Sequence, residues 1–314
     1  MKFANDKWDK FPPRYIGRFA PSPTGPLHMG SLLTALASFL DARAHQGLWL
    51  LRIDDLDTPR NIQQADNAIL KTLEAFGLHW DGQVAYQSQH HEAYQQALQV
   101  LNDKNLLYRC ICSRKSLAEE DLPNTLPGGI YPNVCRQKNH LSASDYALRI
   151  KTEPLNIHFI DHLQGMITEN LAIQHGDFIL QRKDHIIAYQ LAVVIDDHLQ
   201  QVNHIVRGAD LLDSTIKQHY LHQCLSLPSP QYMHVPLLTG AQGTKLSKRD
   251  FAPAVTQHNS HQTLFKLLEL LQQNPPADLK ASPVATQLHW AIEHWHPEVL
   301  RTVRRIAITE YHAI

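Results

Sequence analysis

Arg18-Phe19-Ala20-Pro21-Ser22-Pro23-Thr24-Gly25-Pro26-Leu27-His28-Met29-Gly30-Ser31 is the stretch on which the reading of the whole chain turns. It begins inside Tyr15 to Ala20, a short apolar and aromatic run that follows Pro12-Pro13 and reads as a strand. Pro21 to Pro26 is dense in turn formers and reads as a loop. From Ser31 onward, Leu32, Leu36, Phe39 and Leu40, with Ala35 among them, recur at helical spacing until Gly47 offers a C′ stop. Leu48 to Ile53 is again continuously apolar and reads as a second strand. Strand, helix and strand make a βαβ unit, whose right-handed crossover sets the strands parallel and leaves a ligand crevice at their carboxyl ends. The Pro/Gly loop and the acidic Asp54-Asp55-Leu56-Asp57 cluster emerge at that rim. The expected fold class is α/β, on a Rossmann-like parallel sheet.

The composition sets bounds around this core. A chain of 314 residues with 43% apolar content can fill roughly two domains and bury about three quarters of its extended surface, which excludes a disordered chain or a small disulfide scaffold. Lys and Arg total 29 against 30 Asp and Glu, for a net charge of −1, so any nucleic-acid contact must rest on local patches. Met1 to Arg14 lacks the apolar stretch of a signal peptide, and no later run approaches the ~20 apolar residues of a membrane span. No membrane association and no obligate protein partner are expected. Of 4 cysteines, three lie between residues 110 and 135, a pattern of metal ligands or reduced thiols that favours a cytoplasmic setting.

Further along, residues 62 to 77 and 91 to 107 carry helical periodicity, and Ser113 to His140 is loop-like, with Pro123, Pro127, Gly128, Gly129 and Pro132. Ile186 to Ile195 and Gln201 to Val206 read as buried segments around Asp196-Asp197, and Ser214 to Cys224 as a helix. Leu264, Leu267, Leu268 and Leu271 form a helical stripe, Asn274 to Pro283 a linker, and Leu288 to His294 and Val299 to Ile306 read as helices. The expected division is a first catalytic half at 14–107, an insertion at 108–185, a second catalytic half at 186–250 and a small helical domain at 251–314.

Three constellations carry chemistry. The first is the opening loop running into a helix N-terminus, whose unpaired N–H groups and partial positive charge suit a nucleotide phosphate. Gly30 lets the nucleotide approach the backbone, and His28 can donate to phosphate oxygens. A lone His-x-Gly is as easily a structural histidine; the surrounding residues favour the phosphate. The second is Lys245-Leu246-Ser247-Lys248-Arg249, after the Gly-containing Thr239 to Thr244 and more than two hundred residues downstream of His28. Its two ammonium groups would neutralise charge growing on an α-phosphate and a leaving pyrophosphate. The third is Cys110-Ile111-Cys112 with Tyr131-Pro132-Asn133-Val134-Cys135, in which three thiolates and a fourth donor fit a closed tetrahedral zinc site. His140, five residues past Cys135, is a candidate for the fourth donor, and Cys224 reads as a buried small residue.

His28-Met29-Gly30-Ser31 and Lys245 to Arg249 resemble the HIGH and KMSKS signatures of class I aminoacyl-tRNA synthetases. Arg18 to Gly25, Arg52 to Arg60, and Tyr189 through Asp197 to Arg207-Gly208-Ala209-Asp210-Leu211 resemble the glutamyl branch, so the likeness spans residues 14 to 250. A chain of this length, with no further large helical anticodon-binding domain, resembles the glutamyl-Q tRNA(Asp) synthetase family, which esterifies glutamate onto the queuosine of the tRNA(Asp) anticodon. The rival is a truncated glutamyl-tRNA synthetase charging the 3′ end of tRNA(Glu); a non-catalytic RNA-binding paralogue is the other alternative.

The resemblance implies L-glutamate, ATP with Mg²⁺ and queuosine-bearing tRNA(Asp) as substrates, and one structural Zn²⁺. It implies an ATP site at His28, Gly30, Ser31, Lys245 and Lys248, with His28, Lys245 and Lys248 acting in catalysis. It implies a glutamate site at Arg18, Phe19, Ala20, Pro21, Ser22, Asp54, Tyr189 and Arg207. Within that site the resemblance implies Arg18 as the guanidinium partner of a substrate carboxylate, a bidentate pair that selects glutamate over glutamine. The bland alternative for Arg207 is an ion pair with Asp210 or Asp213, and for Tyr189 a place in the core. Asp54 stands where the family carries Glu, one methylene shorter. Asp55, Asp57, Asp196 and Asp197 are expected to hold loops or pair with Arg52 and Arg60. The resemblance also implies Tyr131 as the fourth zinc ligand, ahead of His140. Arg109, Arg114, Lys115, Arg136 and Lys138, and a late helix bearing Arg301, Arg304 and Arg305, are candidates for tRNA phosphates, with Tyr131 or Trp295 for stacked bases.

Overall fold

The structure, a computed structural model, describes residues 14–119, 130–138, 140, 142–240, 255 and 258–308. In chain order its first half runs β1 (Ile16–Phe19), α1 (Met29–Ala44), β2 (Leu48–Ile53), α2 (Ala65–Ala75), β3 (Ala85–Tyr86) and α3 (His91–Asp103). The middle runs β4 (Leu107–Cys110), α4 (Arg114–Glu119), β5 (Ala147–Ile150), β6 (Asn156–Asp161), β7 (Gly165–Asn170), α5 (Leu171–Gln174) and β8 (Phe178–Gln181). Then come α6 (Tyr189–Leu199), β9 (His204–Gly208), α7 (Leu212–Leu225), β10 (Gln231–Val235), β11 (Leu237–Gly240), α8 (Ser260–Leu270), α9 (Val284–Glu293) and β12 (Arg305–Ile308).

The opening βαβ unit forms as its periodicity requires. β1 and β2 are parallel, in register from Ile16 opposite Leu48 to Phe19 opposite Leu51. α1 buries every residue from Ala35 to Ala42, Leu36, Phe39 and Leu40 among them, because sheet lies on one side and α9 on another. His28 caps this helix, its Nδ1 accepting from the Ser31 N–H at 3.2 Å. The stop differs from expectation: Gln46, not Gly47, takes the left-handed conformation (φ 53°). Gly47 is needed for clearance instead, since a Cβ there would lie 2.6 Å from the Tyr15 carbonyl oxygen.

A second parallel pair, β9 and β10, lies beside β1. The Asn203 N–H donates to the Ile16 carbonyl at 3.0 Å and the Asn203 side chain accepts from the Ile16 N–H at 2.8 Å. The β6–β7 hairpin joins β10 at Tyr232 opposite Asp161, and β4, β5 and β8 form a separate antiparallel sheet. The carboxyl ends of β1, β2, β9 and β10 therefore share one rim.

The end of the chain departs from the helical expectation. Pro297–Leu300 is a single 3-10 turn, and Arg305–Ile308 is a strand paired in parallel with β11, Leu237 opposite Arg305. Ile306 and Ile308 alternate with exposed Arg305 and Ala307, a period of two that favours a strand over a helix. Arg301, Arg304 and Arg305 thus share no helix. No helix among the described residues is long and apolar enough to cross a membrane.

Candidate functional site

At the shared rim a cleft of about 320 Å³ runs from the opening loop to the second half of the sheet. Pro21, Ser22, His28, Gly30 and Ser31 line it from one side, with Phe19, Ala20 and Thr24, and Gly208, Asp210 and Leu237 from the other. Gly208 leaves no space for a side chain, since a Cβ would meet Asp210 Oδ1 at 2.6 Å. The first turn of α1 borders this space with the positive end of its dipole, the arrangement an anionic phosphate requires. Lys245 and Lys248 lie outside the described residues; β11, whose Leu237 and Leu238 wall the cleft, ends at Gly240, just before that stretch.

Arg18 and Arg207 each sit one residue before a cleft-lining residue, and each is almost fully buried, at 4% and 3% exposure. Their surroundings differ in a decisive way. Arg18 is paired with Asp197 through Nε at 3.2 Å and Nη2 at 3.3 Å. The same carboxylate accepts from Arg52 Nη1 at 2.7 Å, and Arg52 Nε in turn donates to Asp54 Oδ1 at 2.8 Å. Burial pushes the Asp54 carboxyl up to about 6 against the pull of Arg52, which leaves it ionised at neutral pH; Asp54 does not itself line the cleft. Asp196 holds the floor of this cluster, accepting from Tyr94 at 2.8 Å, Gln87 at 2.7 Å and His90 at 2.8 Å. Asp55 accepts from Ser88, and Asp57 pairs with Arg60 at 2.6 Å, in keeping with loop-holding roles.

Arg207 has no carboxylate within salt-bridge reach among the described residues, so the pairing with Asp210 or Asp213 does not form. It donates instead to Thr215 Oγ1 at 2.6 Å, Gln218 Oε1 at 2.7 Å, His234 Nε2 at 3.1 Å and, at 3.4 Å, the hydroxyl of Tyr189, which is exposed and so not a core residue. A buried guanidinium held only by neutral acceptors carries an uncompensated charge, which is costly until an anion arrives. Thr215, Gln218 and His234 escaped the sequence reading; the first two stand three apart on α7, a spacing that places polar side chains on one otherwise buried helix face.

The cysteines converge as expected. Cys110, Cys112 and Cys135 bring their Sγ atoms within 4.8 Å of one another. The Tyr131 hydroxyl lies 3.4 Å from Cys110 Sγ and 3.5 Å from Cys112 Sγ, and the Cys135 N–H donates to it at 3.0 Å. The Arg149 guanidinium covers the Tyr131 ring at 3.7 Å. His140 reaches Cys135 with a hydrogen bond but stands outside the three-sulfur group. Burial lifts the Cys112 thiol to about 11, whereas the hydrogen bonds of Tyr131 and others overcome burial at Cys135 and bring it down to about 6. Three soft thiols and one phenol around a single point are a donor set suited to zinc.

The basic candidates for RNA divide. Arg136 is committed to Asp177 at 3.1 Å and Glu153 at 2.8 Å, and Trp295 Nε1 to Asp41 at 2.9 Å, so both hold the fold. Arg109 stacks on the Tyr146 ring at 4.2 Å, while Lys138 is exposed.

Residues 16–271 match the family described as tRNA synthetases class I (E and Q), catalytic domain. Glutamyl-Q tRNA(Asp) synthetase of Pseudomonas fluorescens is 48% identical over 281 residues, covering 90% of this chain and 92% of that protein. The protein of the same name from Thiobacillus denitrificans is 46% identical, covering 93% and 96%. A glutamate tRNA ligase from Elizabethkingia meningosepticum superposes with a TM-score of 0.77 at 23% identity over 93% of this chain and 67% of that one, a likeness of fold. The chain belongs to the class I tRNA synthetases of the E and Q branch and, within them, to the glutamyl-Q tRNA(Asp) synthetase family.

Proposed function

We propose that this enzyme activates L-glutamate with ATP and Mg²⁺ and transfers the glutamyl group to the queuosine base of tRNA(Asp). The observation that carries the reading is Arg207, buried beside the cleft with no carboxylate partner among the described residues. Glutamate brings a carboxylate to Arg207 and Tyr189, with Arg18 and the Phe19 to Ser22 loop on the adjoining strand and Asp54 facing the ammonium. The substrate α-carboxylate oxygen then attacks the α-phosphorus of ATP, the bond to the pyrophosphate oxygen breaks, and pyrophosphate leaves. His28 and the helix N-terminus at Gly30 and Ser31, with Lys245 and Lys248, stabilise charge on the phosphates. A queuosine hydroxyl next attacks the mixed anhydride, forming the ester and releasing AMP.

The test is to incubate the enzyme with ATP, labelled glutamate and tRNA(Asp) that does or does not carry queuosine, then map the label by nuclease digestion. Label on the anticodon fragment, and only with queuosine present, is the expected result. Label on the terminal adenosine of tRNA(Glu) would mean a 3′-end synthetase, and neither product a non-catalytic protein.

Cys110, Cys112, Cys135 and Tyr131 would hold a zinc ion that closes the insertion and leaves no open position for substrate. Purified protein is expected to contain one zinc per chain by elemental analysis, and Cys135→Ser to lose it and open the insertion to milder proteolysis. Equal zinc content in the variant would remove Cys135 from the ligand set.

A further inference from the structure

Arg207 faces its imidazole neighbour across two hydrogen-bonded strands. His234 on β10 is the register partner of Arg207 on β9, and its side chain is fully buried. Arg207 Nε lies 3.1 Å from His234 Nε2, and His234 Nδ1 lies 2.6 Å from Asp161 Oδ2. A guanidinium is only a donor and a carboxylate only an acceptor, so the two ends dictate one tautomer: the proton sits on Nδ1 and the Nε2 lone pair receives Arg207, with the Thr215 hydroxyl also 3.0 Å from that nitrogen. Asp161 is itself held in place, because its Oδ1 accepts from the N–H groups of Leu163 at 3.0 Å and Gln164 at 2.8 Å in the β6–β7 turn.

We infer that Asp161 and His234 are positioning residues for glutamate recognition: the pair fixes the ring tautomer and thereby clamps the Nε edge of Arg207, which aims Nη1 at the substrate carboxylate. The inference rests on the reading of Arg207 as a glutamate-binding residue. The two other firm partners, Thr215 and Gln218, both take Nη2, so among the described residues His234 is the hydrogen-bond partner of the Nε edge, with the Tyr232 ring centroid 5.2 Å from the guanidinium carbon. Nη1 is left with only the long contact to Tyr189 at 3.4 Å and is the corner open to an incoming oxygen. Burial, working against Asp161, brings His234 down to about 4, so the ring stays neutral and its lone pair stays available through the neutral range.

Asp161→Asn separates this role from a structural one. The amide keeps an oxygen for the turn N–H groups but offers N–H to His234 Nδ1, which drives the ring proton to Nε2 and sets it against the Arg207 N–H. In glutamate-dependent ATP–pyrophosphate exchange with tRNA(Asp) present, the KM for glutamate is expected to rise about ten- to a hundredfold, with the KM for ATP within about twofold of wild type. Adding His234→Gln to that variant supplies an amide oxygen as acceptor with no tautomer to choose, and is expected to recover most of the loss. Should Asp161→Asn fail to fold, His234→Gln and His234→Met carry the comparison alone: the acceptor-bearing variant stays within about threefold of wild type and the methionine variant does not. Equal glutamate KM in Gln and Met variants, or an unchanged KM in well-folded Asp161→Asn, overturns the inference. Arg207→Lys run alongside tells the two failures apart. A raised glutamate KM there with a silent Asp161→Asn sinks the positioning role only, whereas an unchanged KM in Arg207→Lys sinks the glutamate site and this inference together.

Discussion

Arg207→Gln is expected to lower kcat/KM for glutamate in ATP–pyrophosphate exchange by about 10²- to 10³-fold while leaving the KM for ATP nearly unchanged. Removing one partner of a desolvated, hydrogen-bonded charge pair costs about 2–5 kcal/mol of binding, and the shorter neutral amide restores neither charge nor reach. The effect on folding runs the other way. Because Arg207 has only neutral partners among the described residues, its removal takes an unbalanced charge out of the interior. Unfolding in urea should therefore shift by no more than about 1 kcal/mol, and toward greater stability if it shifts at all. A variant that keeps wild-type glutamate KM would show that the substrate carboxylate is held elsewhere.

Asp197→Ala should do the reverse on the same rim and destabilise the fold by about 3–5 kcal/mol in urea unfolding. This carboxylate is the shared partner of Arg18 and Arg52, all three with 4% exposure or less; its loss takes from Arg18 its carboxylate partner among the described residues and leaves Arg52 to Asp54 at 2.8 Å and Asp196 at 3.8 Å. The pH dependence follows from the same geometry. Burial alone would raise the pKa of Asp197, but Arg18 and Arg52 overcome it and hold the carboxyl below its ordinary value. A carboxyl depressed in the folded state stabilises fully above its unfolded pKa of about 3.9 and loses that contribution as pH falls through the folded value. The gap between wild type and variant should hence be constant from about pH 5 to 8 and narrow in stronger acid. An unfolding midpoint in Asp197→Ala equal to wild type at pH 7 would mean that water already neutralises the pair.

These two residues also mark where sequence reasoning stops. Strand, Pro/Gly loop, helix and strand follow from local spacing, and the three clustered cysteines announce their meeting by proximity in the chain. The bond from Arg18 to Asp197 joins positions 179 apart, and nothing local distinguishes Asp197 from its neighbour Asp196, which faces Tyr94 and His90 instead. The neutral shell of Arg207 is harder still, since Thr215, Gln218 and His234 come from two elements and only their shared orientation makes them a set. At the chain end, three arginines within five positions suggest a helix face, but the alternation of Ile306 and Ile308 and an open strand edge beside them decide for a sheet.

That edge has a mechanical corollary. β11 pairs residue for residue with β12 from Leu237 to Gly240, immediately before the lysine-bearing stretch begins. The last described residues ahead of that stretch are therefore tied rung by rung to the far end of the described chain, so a load on Gly240 is shared with β12 through the main chain.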